Sequence, residues 1–484
     1  MTPISLNNFS IRLGERVLLK NCSFSLEQHA SAVIMGPTGT GKSVFLKSVA
    51  GILSTKIFTF EGAMKVNGIP AYFNHKLGFG EWSQIAQSGL MFIPAETAQV
   101  MNPALTLDQN LALLAPGQRA VIVERLTKYF SLDFEAFARL YPDEISGGEM
   151  QRITLMILLS RKGNLILLDE PTVNLDRNLR KHFVTFLNNE ILGPKDKTFL
   201  MVSHDLDFIK RLTLDKAFML KDGIIEQMKE LPEMEGYEKP EAKKGASGTA
   251  IELKNVSQTY FKRGIFGERT FTAFKGLNLK FERSTVYGLT GPSGCGKSTT
   301  IKAILRLLDS TKGQILMEGS DLIALKPKET GRDPKAFKPF RRRMTVVQQD
   351  SRFSFFPDLS IRNSFKQISA ASEGGTIEEL EKNLEKVGLT SANLDERPQQ
   401  LSSGEMKRMD IARALTAKPD ILLLDEPFAH IDFETRLKVM QAISEYLAVH
   451  ATILVIVTHE DFDLRYFVEK SFDFPELVGK FTGN

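Results

Sequence analysis

Four short motifs occur twice in this chain, in the same order and at nearly the same spacing. GPTGTGKS at 36–43 is followed by ISGGEMQR at 145–152, LILLDEPT at 165–172 and His204. GPSGCGKS at 291–298 is followed by LSSGEMKR at 401–408, ILLLDEPF at 421–428 and His459. From motif to motif the two spacings differ by one residue at most. Such regularity means one folded unit built twice, and 484 residues are enough for two domains of ordinary size.

Each half opens with strand-like segments. An apolar stretch, AVIM at 32–35 or VYGLT at 286–290, then runs into the glycine-rich octapeptide. The residues that follow, SVFLKSVAGIL and STTIKAILRLL, carry apolar side chains at helical spacing. LILLD, ILLLD, FLMVSH at 199–204 and ILVIVTH at 453–459 are apolar without alternation, the pattern of parallel strands buried on both faces. Between octapeptide and LLDE strand lies a mainly helical stretch, clearest in TIEELEKNLEKVGL at 376–389. The halves are assigned to 1–225 and 251–484. The stretch 226–250 is rich in Glu, Lys, Gly and Pro and poor in large apolar residues, so it reads as a solvated tether.

Composition narrows the classes. A net charge of +4 from 62 basic and 58 acidic residues offers no argument for a nucleic-acid partner, although a mildly basic face near anionic lipid is compatible with it. No apolar run reaches the roughly 18 residues that a membrane helix needs. The N-terminal MTPISLNNFSIRLGER alternates like a strand and lacks a signal-peptide core. Cys22 and Cys295 fall in different halves, which argues against a structural disulfide and for a reducing, cytoplasmic compartment.

The octapeptide between a strand and a helix is a phosphate cradle. Its residues, Gly36, Pro37, Thr38, Gly39, Thr40 and Gly41, and Gly291, Pro292, Ser293, Gly294, Cys295 and Gly296, curl the backbone around phosphate oxygens. Lys42 and Lys297 reach the β- and γ-phosphates, and Ser43 and Ser298 offer hydroxyls to Mg²⁺. The helix dipole adds a favourable field for the anion. Asp169 and Asp425 end apolar strands, where a carboxylate is costly without a cation, so they are assigned to the Mg²⁺ shell. Glu170 and Glu426 come next and diverge from them, placed to polarise a water for attack on the γ-phosphate. His204 and His459 repeat at matching places and are read as γ-phosphate contacts, with a satisfied core histidine as the competing role.

The ISGGE and LSSGE turns complete the set. With them the chain resembles the ATP-binding cassette (ABC) ATPases over both halves, the tether excepted. The resemblance implies an α/β fold of two tandem P-loop NTPase domains. Each has a β-rich N-terminal part, a parallel-sheet core and a helical subdomain, and each uses ATP and Mg²⁺. It further implies a head-to-tail sandwich, with each ATP between the octapeptide of one cassette and the signature turn of the other. Ser146, Gly147, Gly148 and Glu149, and Ser402, Ser403, Gly404 and Glu405, are then nucleotide contacts. ATP closes the sandwich and hydrolysis reopens it, moving membrane partners.

Within the family, the lack of a spanning segment argues against a fused exporter. The short, Pro- and Gly-interrupted tether argues against ribosome-associated members, and two cysteines cannot build the zinc sites of DNA-repair relatives. The segments 89–111 and 341–365 resemble the stretch that faces the membrane subunit in peptide/nickel importers. Neither half carries the C-terminal cysteine cluster common in that subgroup. The expectation is the cytoplasmic, membrane-peripheral ATPase of an importer for peptides or nickel/metallophore. Its partners would be two transmembrane permease subunits and, through them, an extracytoplasmic solute-binding protein. A soluble ABC ATPase switching a ribosome or other assembly is the alternative, and a sugar- or vitamin-type importer is a third reading.

The halves are unequal. Where the family places an adenine-stacking aromatic, the second half has Tyr260 and the first has Leu13. The family's loop glutamine, a metal ligand, corresponds to Gln349, and in the first half to Ala95. In the second signature Ser403 replaces a glycine, at about 1 kcal/mol if the backbone there is left-handed. In the implied sandwich all three changes fall on the site of Lys42, Glu170 and His204. That site is expected to be impaired, and the site of Lys297, Tyr260, Gln349, Glu426 and His459 to be the main hydrolytic one.

Overall fold

A computed structural model of the chain describes residues 2–37, 39–73, 76–77, 79–95, 97–172, 175, 177–232, 243, 249–264, 267–292, 294–308, 311–325, 335–372, 374–429, 431–458 and 461–478. Thr38, Ser293, His459 and most of the segment assigned to the tether lie outside them. The chain divides into two compact units, Met1–Glu233 and Met234–Asn484. Among the described residues no helix is long and apolar enough to cross a membrane.

In the first unit the apolar runs form a six-stranded sheet. Its spatial order is Ile224–Met228, Lys216–Lys221, Ser31–Met35, Thr198–Val202, Leu165–Asp169 and Leu90–Ile93, and only the first pair is antiparallel. That edge strand takes Glu226–Met228 from the segment assigned to the tether. The second unit has a five-stranded, all-parallel sheet in the order Met344–Val347, Ile421–Asp425, Ile453–Val457, Val286–Thr290 and Lys470–Asp473. Beside each parallel sheet the N-terminal segments of the unit form an antiparallel one, led by Ile4–Leu13 with Arg16–Leu26 and by Thr249–Gly264 with Gly267–Glu282.

The strand Ile421–Asp425 shows why these runs do not alternate. Ile421 and Leu423 pack with Val256, Phe274 and Phe281 of the antiparallel layer, while Leu422 and Leu424 pack with Leu380, Leu384 and Met406 of the helical layer. Both faces are buried, and each leucine so placed stabilises the fold by roughly 1.5–3 kcal/mol. The helical layer comprises Leu107–Leu114, Arg119–Phe130 and Gly147–Leu159 in the first unit. In the second it comprises Ile361–Ser372, Ile377–Lys386 and Ser403–Thr416.

The repeat extends to backbone irregularities. Asn8 and Asn255 adopt left-handed φ of 47° and 50° at matching bulges in the first strand of each unit. The bulges are met by Gly62 and Gly313, where a Cβ would lie 2.2 Å from the Asn8 carbonyl oxygen and 2.4 Å from that of Asn255. Both glycines also have positive φ, so Gly62→Ala or Gly313→Ala is expected to destabilise its unit by about 2 kcal/mol or more, read as a lower urea midpoint. An unshifted midpoint would show that the bulge relaxes.

Candidate functional site

In each unit the chemistry-bearing residues gather where neighbouring parallel strands end. In the first, the octapeptide leaves Ser31–Met35, His204 follows the adjacent Thr198–Val202, and Asp169 ends the next strand. In the second, the octapeptide follows Val286–Thr290, Asp425 ends its strand, and Gln349 lies just past Met344–Val347.

Each octapeptide turns into a helix through a left-handed glycine, Gly41 at φ 95° and Gly296 at φ 110°. Lys42 and Lys297 are the first helical residues. The Lys42 ammonium donates to the Gly36 and Pro37 carbonyls, both at 2.8 Å. Lys297 donates to the Gly291 and Pro292 carbonyls at 2.8 and 2.7 Å. Each positive charge is thereby fixed over its own loop. A Cβ at Gly36 would meet the Leu220 carbonyl oxygen at 2.2 Å, so the cradle closes only around glycine. Thr40 donates its hydroxyl to Pro37, and Gly39 accepts from Arg16 at 2.9 Å. In the second loop, burial pushes the Cys295 thiol up against the opposing pull of Lys297, which keeps it protonated.

Ser43 donates to Asp169 at 2.8 Å and Ser298 to Asp425 at 3.0 Å. Both aspartates are buried, and burial raises their pKa values, opposed by the serine hydroxyl and reinforced by the adjacent glutamate. A cation at this position removes that penalty. Among the described residues no three His, Cys, Asp or Glu side chains cluster as a metal cage. A serine–aspartate pair beside a phosphate cradle instead suits Mg²⁺, which binds through one or two carboxylates, waters and substrate phosphates.

Glu170 and Glu426 sit at left-handed φ of 42° and 48°. Their N–H groups donate to Val202 and Val457 of the neighbouring strand, both at 2.9 Å. A non-glycine residue held there stores roughly 1–2 kcal/mol, and the strain recurs at matching places. Glu170 carries His204, whose Nδ1 lies 2.9 Å from its Oε2. Burial pulls the His204 pKa down, but the Glu170 carboxylate, with Asp205, outweighs it and the net shift is upward. Glu426 accepts from the Gln349 side-chain amide at 3.4 Å. Ile93 pairs with Leu168 as Val347 pairs with Leu424, so the sheet register puts Ala95 in the place of Gln349.

Tyr260 is half-buried and donates to Thr299 at 3.3 Å, whereas Leu13, at the same distance past its bulge, is 40% exposed. Arg16, opposite Leu13 in the hairpin, extends its guanidinium over the octapeptide to Gly39. Sequence reasoning missed it. The available signal was a basic residue closing a Leu-Gly-Glu hairpin beside the missing aromatic.

The signature turns are helix caps. Ser146 and Glu149 form a reciprocal capping box, as do Ser402 and Glu405, where the Ser402 N–H reaches the Glu405 carboxylate at 2.9 Å. A Cβ at Gly147 or Gly148 would meet nothing within 4 Å. Ser403 is the first residue of its helix and is not among the left-handed residues, so the strain considered for it does not arise. The capping box sets that first turn right-handed, and a serine fits it. Gly404 is buried just behind it.

The family model described as ABC transporter matches residues 19–173 and 274–429. An uncharacterized ABC transporter ATP-binding protein YejF of Escherichia coli K12 is 24% identical over 95% of this chain and 91% of its own. The peptidoglycan transport ATP-binding protein YejF of Agrobacterium fabrum is 24% identical over 92% and 85%. The galactose/methyl galactoside import ATP-binding protein MglA of Treponema pallidum is 22% identical over 94% and 90%. A solved structure titled RNase-L Inhibitor aligns over 97% of this chain and 87% of its own at a TM-score of 0.64 and 19% identity, a likeness of fold.

Proposed function

The chain belongs to the ABC transporter family, with the ATP and Mg²⁺ binding and ABC-type ATP hydrolysis of that family, and from this premise we propose that it energises an importer. Its two units would drive separate transmembrane permease subunits, supplied by an extracytoplasmic solute-binding protein. The observation that carries this reading is similarity along nearly the whole chain to two relatives named as transport or import ATP-binding proteins. The segments 89–111 and 341–365 favour a peptide or a nickel chelate over a sugar, and the peptidoglycan-transport relative favours the peptide-containing cargo of the two. Purifying the full chain from its native membranes in mild detergent tests the reading. Two polytopic membrane proteins at matched stoichiometry are expected; ribosomal subunits in their place would overturn it in favour of an assembly factor.

We assign residue roles unit by unit. Lys42 and Lys297 hold the terminal phosphates. Ser43 with Asp169, and Ser298 with Asp425 and Gln349, would hold Mg²⁺, which would supply charge neutralisation at the phosphate oxygens. Glu170 and Glu426 orient and deprotonate the attacking water, their carboxylates steadied by His204 in one unit and by Gln349 in the other. The repeat extends the octapeptide assignment to Thr38 and Ser293, and it assigns His204 and His459 alike to a γ-phosphate contact. The capped turns at Ser146 and Ser402 present helix N-termini to an anion.

The second unit retains Tyr260 and Gln349 where the first has Leu13 and Ala95, so the second is the main hydrolytic unit and the first is slow. Restoring the ring tests one part of this. Leu13→Tyr in a Glu426→Gln background is expected to tighten binding of a fluorescent ATP analogue to the first unit at least about fivefold, the lower end of base–aromatic stacking. Unchanged affinity would show that position 13 does not face the base.

A further inference from the structure

We propose that Lys407 is a positioning residue of the second unit's nucleotide site: it clamps the backbone at Gln348 and Gln349 so that the Gln349 amide faces Glu426. Its side chain lies inside the protein, 2% exposed, on the signature helix Ser403–Thr416. Its ammonium donates to the Gln348 carbonyl at 2.7 Å and the Gln349 carbonyl at 2.8 Å. These carbonyls flank the bond that sets the direction of the Gln349 side chain, and the Gln349 amide reaches Glu426 at 3.4 Å.

Lys407 belongs to a longer fastening. Asp410, one turn along the helix and wholly buried, accepts from Ser354 at 2.8 Å and from Arg413 at 2.8 Å. Arg413 in turn donates to the Val346 carbonyl at 2.8 Å. Three charged side chains on one helix face therefore hold the segment 346–354 before, at and after Gln349. In the first unit the matching positions carry no charge. Its matching residues are Gln151, Thr154 and Ile157, and Thr154 turns its hydroxyl back to Met150 in its own helix. The charged clamp occurs where the glutamine is present and is missing where Ala95 replaces it.

Charge is the informative part. A buried ammonium is unfavourable unless hydrogen bonds and opposite charges compensate it. An apolar contact would join helix to strand without that penalty. Burial pulls the Lys407 pKa down, and two carbonyls at 2.7 and 2.8 Å together with the field of Asp410, Asp425, Glu426 and Asp350 oppose that pull. Carbonyls pinned by a charged donor move less than carbonyls packed against a methylene chain, and an amide that must meet Glu426 gains from that rigidity.

The inference rests on the roles proposed for Gln349 and Glu426, and the experiment separates the two. In the full chain, Lys407→Met is expected to lower kcat at least about tenfold, with KM for ATP and the affinity for a fluorescent ATP analogue within about twofold of wild type. Lys407→Gln restores amide donors without the charge and should fall between the two. Because Lys407 acts through Gln349, the Lys407→Met/Gln349→Ala double variant should be no slower than Gln349→Ala alone. Wild-type kcat in Lys407→Met, or a loss that multiplies fully on top of Gln349→Ala, overturns the proposal. If Lys407→Met fails to fold, the same comparison with Lys407→Gln decides. Should Glu426→Gln leave turnover intact, the reading of the site itself fails. Should Glu426→Gln stop turnover while Lys407→Met does not slow it, only the role of Lys407 falls.

Discussion

Glu426→Gln is expected to reduce steady-state ATP turnover of the full chain at least about a hundredfold, the contribution of a positioned general base, while Glu170→Gln leaves a substantial part of it. The backbone gives no reason for this difference. Both glutamates are held at left-handed φ, and both donate to the next strand at 2.9 Å. The difference lies in what surrounds the carboxylates. Gln349 approaches Glu426, while the sheet register gives the equivalent position in the first unit to Ala95, which has no amide to offer. Glu170 does keep His204 at 2.9 Å, which argues for a slow first unit over a dead one. The same amide substitution at each position, measured side by side, decides the matter. Equal losses would mean that both units hydrolyse at comparable rates and that the missing glutamine and aromatic ring are neutral.

The parts of the fold visible in the sequence were those where one-dimensional pattern and three-dimensional constraint coincide. Leu422 and Leu424 face the helical layer and Ile421 and Leu423 the antiparallel layer, so an unbroken apolar run could belong only to a strand covered on both sides. Separate motifs assign Ser43 and Asp169 to one metal shell, and the Ser43 hydroxyl lies 2.8 Å from the Asp169 carboxylate. Features set by backbone conformation or by distant partners were hidden. Nothing in LLDEP announces the left-handed φ of Glu170, because the strain is imposed by the carbonyl of Val202 on another strand. Ser403 looked strained in place of a glycine, yet the Ser402–Glu405 capping box makes its position an ordinary first helical residue. The tether assignment takes in Glu226–Met228 of the edge strand Ile224–Met228, although Asp222-Gly223, both at positive φ, is a strong hairpin signal. Nothing in the sequence singles out Arg16 or Lys407, since their partners are main-chain carbonyls that sequence does not display.

Lys297→Ala is expected to stop turnover, and Lys42→Ala to slow it. The two substitutions are unusually well matched as a pair. Each deletes an ammonium that donates to two carbonyls of its own loop at 2.7–2.8 Å. The structural penalties should therefore be alike, about 1 kcal/mol per lost bond, and thermal melts of the two variants should shift similarly. Any large difference in ATP turnover then reports what each unit contributes to hydrolysis and not how well each loop survives. A Lys42→Ala variant as inactive as Lys297→Ala would remove the claim that the second unit can turn over while the first is impaired. Set beside Glu170→Gln, the same result gains a further meaning. If Lys42→Ala stops turnover and Glu170→Gln does not, the first unit must hold nucleotide without having to hydrolyse it. Its intact cradle would then be a binding element for a cycle whose chemistry belongs to Glu426.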